Sequence, residues 1–171
     1  MLIKGFRPLI TGVRMASPLQ PLSAEREEAS APVTEREVAY LRAISELSRD
    51  GVFVSTSEVA RRMRVRGPTA IEAIRRLYEK GYVTYVPRRG AALTGRGKAL
   101  LASIERRHRV LETFLVRVFN LDLNRACAEA SRLELHISDY LVDLMCRYLG
   151  HPRRCPHGRA IPVKVTCCLS R

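Results

Sequence analysis

No stretch of this 171-residue chain approaches the ~20 consecutive apolar residues that a membrane-spanning helix needs. Residues 1–20 have scattered apolar positions but lack the continuous hydrophobic block of a secretory signal. The expectation is a soluble, cytoplasmic protein with no membrane partner. The sequence also lacks a glycine-rich phosphate loop, a nucleophile elbow and an evident pair of acid and base, so it reads as not an enzyme. There is no internal repeat. With no export signal, the five cysteines (Cys127, Cys146, Cys155, Cys167, Cys168) argue against a disulfide framework. Reduced thiols, metal ligands or core cysteines remain.

Acidic residues and lysines are both scarce. Asp and Glu total 17 against 30 Lys and Arg, a formal net charge of +13, and the lysines are confined to Lys4, Lys80, Lys98 and Lys164. Residues 35–98 carry 14 basic and 7 acidic side chains. Arginine forks suit phosphates and guanine edges, so the composition points to a polyanionic partner rather than a membrane surface. A bias toward arginine unrelated to binding is the plain alternative. The 46% of hydrophobic residues is enough for a packed core and excludes disorder of the whole chain.

Residues 1–33 contain Pro8, Pro18, Pro21 and Pro32 without sustained periodicity and read as a disordered arm, within which Met15 is an alternative start. Thr34-Glu35-Arg36-Glu37 has capping-box spacing, and Tyr40, Leu41, Ile44 and Leu47 follow at helical intervals, predicting a helix over 35–48. Asp50-Gly51 breaks the chain. Ser55-Thr56-Ser57-Glu58 is a second capping box, Val65-Arg66-Gly67 a tight turn, and Pro68 opens a third helix that ends at Gly81. A β-rich run from Tyr82 to Val86, the turn Pro87-Arg88-Arg89-Gly90 and the return Ala91-Ala92-Leu93 complete a winged helix-turn-helix. Thr94 caps a long helix reaching about Phe119, on which Leu101, Ile104, His108, Leu111, Leu115 and Val118 form a heptad-like seam suited to helix packing or a dimer. Helices over 125–136 and 138–149 follow, ended by Gly150 and Pro152. The fold class is therefore mainly α: a disordered arm (1–33), a winged helix-turn-helix (34–95), an all-helical metal-binding and dimerisation domain (96–150), and a Cys/His-containing tail (151–171).

In such a motif the second helix enters the major groove and its N-terminal residues meet base edges. Arg66, Pro68, Thr69, Glu72 and Arg75 or Arg76 occupy those positions here, with Arg61, Arg62, Arg64, Arg88 and Arg89 nearer the phosphates. A solvated basic face, or an RNA-binding or protein-binding winged helix, is the competing reading. Along the long helix His108 and Glu112 are one turn apart, and in the next helix Cys127, Ser131 and Glu134 share a face. Packed antiparallel, the two faces can unite imidazole, thiolate and carboxylates around Fe²⁺, Mn²⁺, Zn²⁺ or Co²⁺, the thiolate disfavouring Mn²⁺. A histidine on an apolar seam can equally be a core residue. His151, Cys155, His157, Cys167 and Cys168 form a separate set whose ligand types could make a zinc site, but the spacing matches no standard finger, and a flexible tail is the expectation.

Gly67-Pro68-Thr69, the wing, Leu93-Thr94-x-x-Gly97, His108-Arg109-x-x-Glu112, Leu121-Asp122, Glu134 through Ser138-Asp139, and Cys155-Pro156-His157-Gly158-Arg159-Ala160-Ile161-Pro162 occur in the order found in one known family. Through them, residues 34–162 resemble the DtxR/MntR family of metal-dependent transcriptional repressors. The resemblance implies a homodimer on a palindromic double-stranded DNA operator, with a divalent metal stabilising the DNA-competent form. The chain stops before the SH3-like third domain of longer members. His108 and Glu112 match ligands of the family's ancillary site, whose third ligand, usually His, is here Cys127. At the primary site Glu134 matches, but Ala39 stands for Met or Asp, Ser131 for Cys or Glu, and Leu135 for His. Arg42 replaces the further carboxylate of manganese-type members, and His136 lies one position late.

Two readings stay open: a metal-responsive regulator using His108, Glu112, Cys127 and Glu134, and a winged-helix DNA-binding protein with an eroded metal site. A basic RNA-binding protein and a metal-storage protein rank behind both.

Overall fold

The computed structural model describes residues 33–48 and 52–168. The expected arm up to residue 32 and the Asp50-Gly51 break lie outside the described residues. Helix α1 (Glu35–Leu47) opens on a capping box in which Thr34 Oγ1 accepts from the Glu37 amide at 3.2 Å and the Glu37 carboxylate accepts from the Thr34 amide at 2.9 Å. Helix α2 (Thr56–Met63) starts on the equivalent Ser55–Glu58 box and stops at Arg64, whose φ of 54° is left-handed. Helix α3 (Gly67–Glu79) carries Pro68 in its first turn, where the missing N–H is not needed.

Strands β1 (Val83–Val86) and β2 (Gly90–Leu93) pair antiparallel, Val83 opposite Leu93 and Val86 opposite Gly90. Val54 adds a third rung, exchanging two backbone hydrogen bonds with Ala91 at 2.8 and 2.9 Å. A Cβ on Gly90 (φ 110°) would lie 1.9 Å from the Val54 carbonyl oxygen, so this pairing requires glycine. Tyr40, Leu41, Ile44, Val59, Ile74 and Leu77 fill the core between the three helices and the hairpin. Burial stabilises by about 1.5–3 kcal/mol per large apolar side chain.

Helix α4 (Gly95–Phe119) is fastened to this unit at its first turn. Thr94 Oγ1 accepts from the Gly97 amide at 3.0 Å and donates to the Gly81 carbonyl at 2.7 Å. Gly97 rests so near Tyr82 that a Cβ would meet its carbonyl oxygen at 2.0 Å. Helix α5 (Leu123–Leu133), capped by Asp122, lies along α4. It ends earlier than its periodicity suggests because the His136 and Ile137 amides both turn back to the Leu133 carbonyl, at 2.9 and 3.0 Å. Ser138 then caps α6 (Asp139–Tyr148). The heptad-like seam of α4 is largely consumed within the chain. Leu101, Ile104 and Leu111 are buried, and α4 packs against α1, α5 and α6, whereas Val118 at the far end is exposed.

The segment after Gly150 departs from the expected flexible tail. It folds back in an isolated bridge between Arg154 and Ala160, followed by the short helix α7 (Val165–Cys168). Cys155, Ile161 and Cys167 join Val110, Val142 and Cys146 in a second buried cluster. The order comes from these tertiary contacts, which local periodicity does not reveal.

Candidate metal centre and nucleic-acid interface

Helix α3 buries Ala70, Ile74 and Leu77 and turns its opposite face to solvent. Arg66, Pro68, Thr69, Glu72, Arg75 and Arg76 are all exposed, as are Arg61, Arg62 and Arg64 on α2 and its cap, and Arg88 and Arg89 on the wing. Arg88 takes φ 66° at the hairpin tip, and the Arg89 guanidinium stacks 4.8 Å above the Phe53 ring. Two of the reading-face charges are paired with one another: Arg76 Nη2 meets Glu72 Oε1 at 2.5 Å, one turn apart on α3. Arg62 meets Glu46 at 2.6 Å. Both pairs are more than half exposed and therefore weak enough to open for a stronger anionic partner.

The second constellation lies where α4 and α5 face each other. Glu112 and Glu134 are almost fully buried, at 1% and 4% exposure. Buried carboxylates demand cationic or hydrogen-bonding partners. Glu134 Oε2 lies 2.9 Å from His108 Nδ1, and Arg42 Nη2 from α1 donates to both Glu134 oxygens, at 2.9 and 3.0 Å. Burial pushes the Glu134 carboxyl up, yet the His108 and Arg42 hydrogen bonds and the Arg42 charge together hold it below its ordinary range.

With Nδ1 engaged by Glu134, the His108 ring presents Nε2 to Cys127 Sγ at 3.6 Å and to Glu112 Oε2 at 3.7 Å. A carboxylate bound to one ring nitrogen, with the other nitrogen turned toward further ligand atoms, is the usual support of a metal-binding histidine. The other Glu112 oxygen is 2.5 Å from His157 Nδ1, and Glu112, Cys155 and His157 have ligand atoms mutually within 4.8 Å. Donors thus run continuously from Cys127 through His108 and Glu112 to His157 and Cys155. Burial, and then the nearby Glu112 charge, push the Cys127 thiol above its ordinary range.

The fit to a metal divides accordingly. Around Glu134 it fails: Ala39 and Leu135 offer no donor, Ser131 and His136 point outward as exposed residues, and the carboxylate is already engaged by Arg42 and His108. Around Glu112 it holds, because a buried carboxylate and an oriented imidazole nitrogen lie beside the Cys127 and Cys155 thiols, with the Arg159 charge acting on Cys127 from nearby. Cys155 and His157 belong to this constellation although spacing alone grouped them with the tail. The Cys-Pro-His-Gly turn was visible in the sequence, but its partner Glu112 lies 45 positions away from His157.

The tail set therefore splits. His151, Cys167 and Cys168 gather instead with Cys146 on α6, all four ligand atoms mutually within 4.8 Å. Cys146, which no sequence motif singles out from the other cysteines, completes the set. Burial and the neighbouring Cys167 and Cys168 push the Cys146 thiol up to about 12. Cys168 is the exception: burial opposes its ionisation, but hydrogen bonding to the Lys164 backbone, Cys146 and Arg106 draws it below the ordinary thiol range.

Comparison with known proteins gives a consistent answer. The profile described as the iron dependent repressor N-terminal DNA binding domain matches residues 33–91, and that described as the iron dependent repressor metal binding and dimerisation domain matches 94–163. The diphtheria toxin repressor of Corynebacterium diphtheriae is 32% identical over 123 residues, covering 72% of this chain and 54% of that protein. The chain thus spans about half the length of the curated relatives it matches. Among solved structures, a hypothetical protein from Sulfolobus solfataricus superposes with TM-score 0.70 at 28% identity, covering 77% of this chain and 100% of that one. A manganese-dependent transcriptional repressor solved in complex with manganese superposes with TM-score 0.61 at 37% identity, covering 77% and 59%.

Proposed function

The chain belongs to the iron-dependent repressor family, and from that premise we propose that it is a DNA-binding transcriptional repressor whose grip on its operator responds to a divalent transition metal. The observation that carries this reading is the exposed face of α3, where Thr69, Glu72, Arg75 and Arg76 stand clear beside the wing arginines. In this reading Thr69 and Glu72 meet base edges, and Arg61, Arg62, Arg64, Arg88 and Arg89 position the duplex through phosphates.

The metal would be held by His108 Nε2, Glu112 and Cys127, with Glu134 orienting His108 rather than serving as a ligand. Fe²⁺, Zn²⁺ and Co²⁺ suit a thiolate-containing set better than Mn²⁺ does. Such an ion would supply positive charge to a buried carboxylate and join α4 to α5, with the Cys155–His157 turn held beside it through His157 and Glu112. Helix α4 carries His108 and Glu112, and its first turn is bolted to Gly81 and Tyr82 at the base of the wing. Ordering α4 therefore orders the reading unit.

A palindromic operator needs a two-fold partner. Phe119, Leu133, Tyr140, Leu141 and Tyr148 are large apolar side chains left exposed on the helical domain. Phe114 stacks edge-on against Phe119 at 5.8 Å and tilts against Tyr148 at 5.9 Å, building one aromatic face suited to a second copy.

A second reading is favoured by Arg42, whose guanidinium already supplies a cation at Glu134 between α1 and the end of α5. In that case the DNA-competent arrangement is held without metal. Selection of bound duplexes from a random pool tests the DNA-binding reading that both share. Enrichment of an inverted repeat whose affinity falls steeply with salt supports it, and a salt-insensitive or unenriched pool contradicts it.

A further inference from the structure

The four-residue cluster of Cys146, His151, Cys167 and Cys168 lies outside the metal-responsive constellation and has no part in the function proposed above. We propose that it is a structural zinc site, with three thiolates and one imidazole closing the coordination sphere and stapling helix α7 to α6.

The distances match those of a ligand shell. Zinc bonds of about 2.3 Å to sulfur and about 2.0 Å to nitrogen in a tetrahedron place sulfurs about 3.8 Å apart, and sulfur and nitrogen about 3.5 Å apart. Here Cys146 Sγ is 3.9 Å from Cys168 Sγ and 3.6 Å from His151 Nδ1, and Cys167 Sγ is 4.0 Å from the same nitrogen. A disulfide would need sulfurs about 2.05 Å apart and would leave the third thiol unused.

Backbone geometry serves the same convergence. Gly150 (φ 72°) and His151 (φ 55°) reverse the chain at the end of α6, and the His151 amide closes on the Cys146 carbonyl at 2.9 Å. A left-handed histidine is held here at the cost of local strain, and the turn brings its ring back over Cys146. Lys164 pins the start of α7 to α6 through Asp139 at 3.3 Å and Asp143 at 3.0 Å, which places Cys167 and Cys168 opposite.

Charge gives an independent indication. Arg106 is 4% exposed; its Nη1 meets Asp143 Oδ1 at 2.9 Å, while its Nε and Nη2 find no oxygen or nitrogen acceptor among the described residues and its charge faces the sulfurs of Cys146, Cys167 and Cys168. Protonated thiols are poor acceptors for buried guanidinium donors, and thiolates are good ones. Zn²⁺ with three thiolates carries one net negative charge, which complements the surplus positive charge of Arg106, Arg107 and Lys164 over Asp139 and Asp143. The core around the cluster consists mainly of Val110, Val142, Cys155 and Ile161, a small apolar base for which a metal cross-link compensates. Because His151 and Cys167 bracket the Cys155–His157 turn, the staple also fixes the segment that touches Glu112.

The test is zinc analysis of the full-length protein after dialysis against a moderate chelator, with Co²⁺ substitution of the wild type. The expected result is one retained zinc per chain that survives in the His108→Ala/Cys127→Ser double variant and is lost in Cys146→Ser and in Cys167→Ser/Cys168→Ser. The Co²⁺ protein should show the d–d bands of a tetrahedral site and charge-transfer absorption of three thiolates, a readout that needs no variant to fold. Zinc absent from the wild type, zinc lost with His108 and Cys127, a Co²⁺ spectrum with fewer thiolates, or a Cys146–Cys168 disulfide in freshly purified protein would each overturn the proposal.

Discussion

Arg42 Nη2 donates to both carboxylate oxygens of Glu134, at 2.9 and 3.0 Å, and so ties the first helix of the DNA-reading unit to the end of α5, 92 positions along the chain. One guanidinium nitrogen thereby connects the reading unit to the carboxylate that orients His108.

Removing that clip has two expected consequences. Arg42→Ala leaves Glu134 buried with His108 as its remaining side-chain partner. Stability should fall by about 1–2 kcal/mol, less than for a fully buried pair because Arg42 is one-third exposed. Metal affinity should rise, since a competing cation has gone. Urea unfolding and metal titration of the variant measure both; unchanged metal affinity would show that Arg42 does not oppose binding.

The wing joint is tested at Gly97. A methyl group there would run into the Tyr82 carbonyl, so Gly97→Ala should destabilise the protein by about 1–3 kcal/mol. Thermal unfolding measures the loss, and a neutral substitution would mean that α4 can shift away from the wing without penalty.

Base reading and phosphate contact separate by substitution. Thr69→Ala and Glu72→Ala should alter sequence preference, whereas Arg88→Ala and Arg89→Ala should weaken all duplexes alike and reduce the salt slope by about one per lost phosphate contact. Glu72→Ala also frees Arg76 from its ion pair, so non-specific affinity should rise slightly in that variant. Competition binding over a panel of duplexes distinguishes the pairs; equal effects on preference would contradict the assignment.

Acid should loosen the reading unit through Glu37. Burial opposes its ionisation, but hydrogen bonds from Lys80 and Thr34 and the Lys80 charge hold it below its ordinary value of 4.5. An acid whose folded value is depressed binds protons more readily when unfolded. Its contribution is therefore complete above about 4.5 and is lost as pH falls through the folded value. Glu37→Ala should cost about 1 kcal/mol near neutrality and progressively less below pH 4.5, as followed by unfolding across pH. A constant difference across that range would show that ionisation of Glu37 contributes nothing to stability.

Local chemistry made most of the reading unit legible. The Thr34–Glu37 and Ser55–Glu58 boxes, Pro68 and Gly81 announce helix boundaries through backbone groups only a few residues away. The Val54–Ala91 rung was not legible, because a single residue pairing across 37 positions leaves no periodic trace. The same limit hid the tail. Cys155, Ile161 and Cys167 are ordered by contacts with Val110, Val142 and Cys146, not by a pattern of their own. Helical spacing placed His108 and Glu112 on one face, but it could not show that Glu134 engages the opposite ring nitrogen or that His157 reaches Glu112. Those are relationships between surfaces, and they exist only once the helices have packed.

The most direct measurement is the affinity of the selected operator duplex for wild-type protein and for His108→Ala, each with Fe²⁺ or Co²⁺ and with chelator, at one fixed salt concentration. A metal-responsive regulator built on His108, Glu112 and Cys127 predicts tight binding by wild type with metal, a loss of tenfold or more (about 1.4 kcal/mol or more) in chelator, and weak binding by His108→Ala in both conditions. Equal affinity in all four cases would contradict it and leave a DNA-binding protein that works without metal.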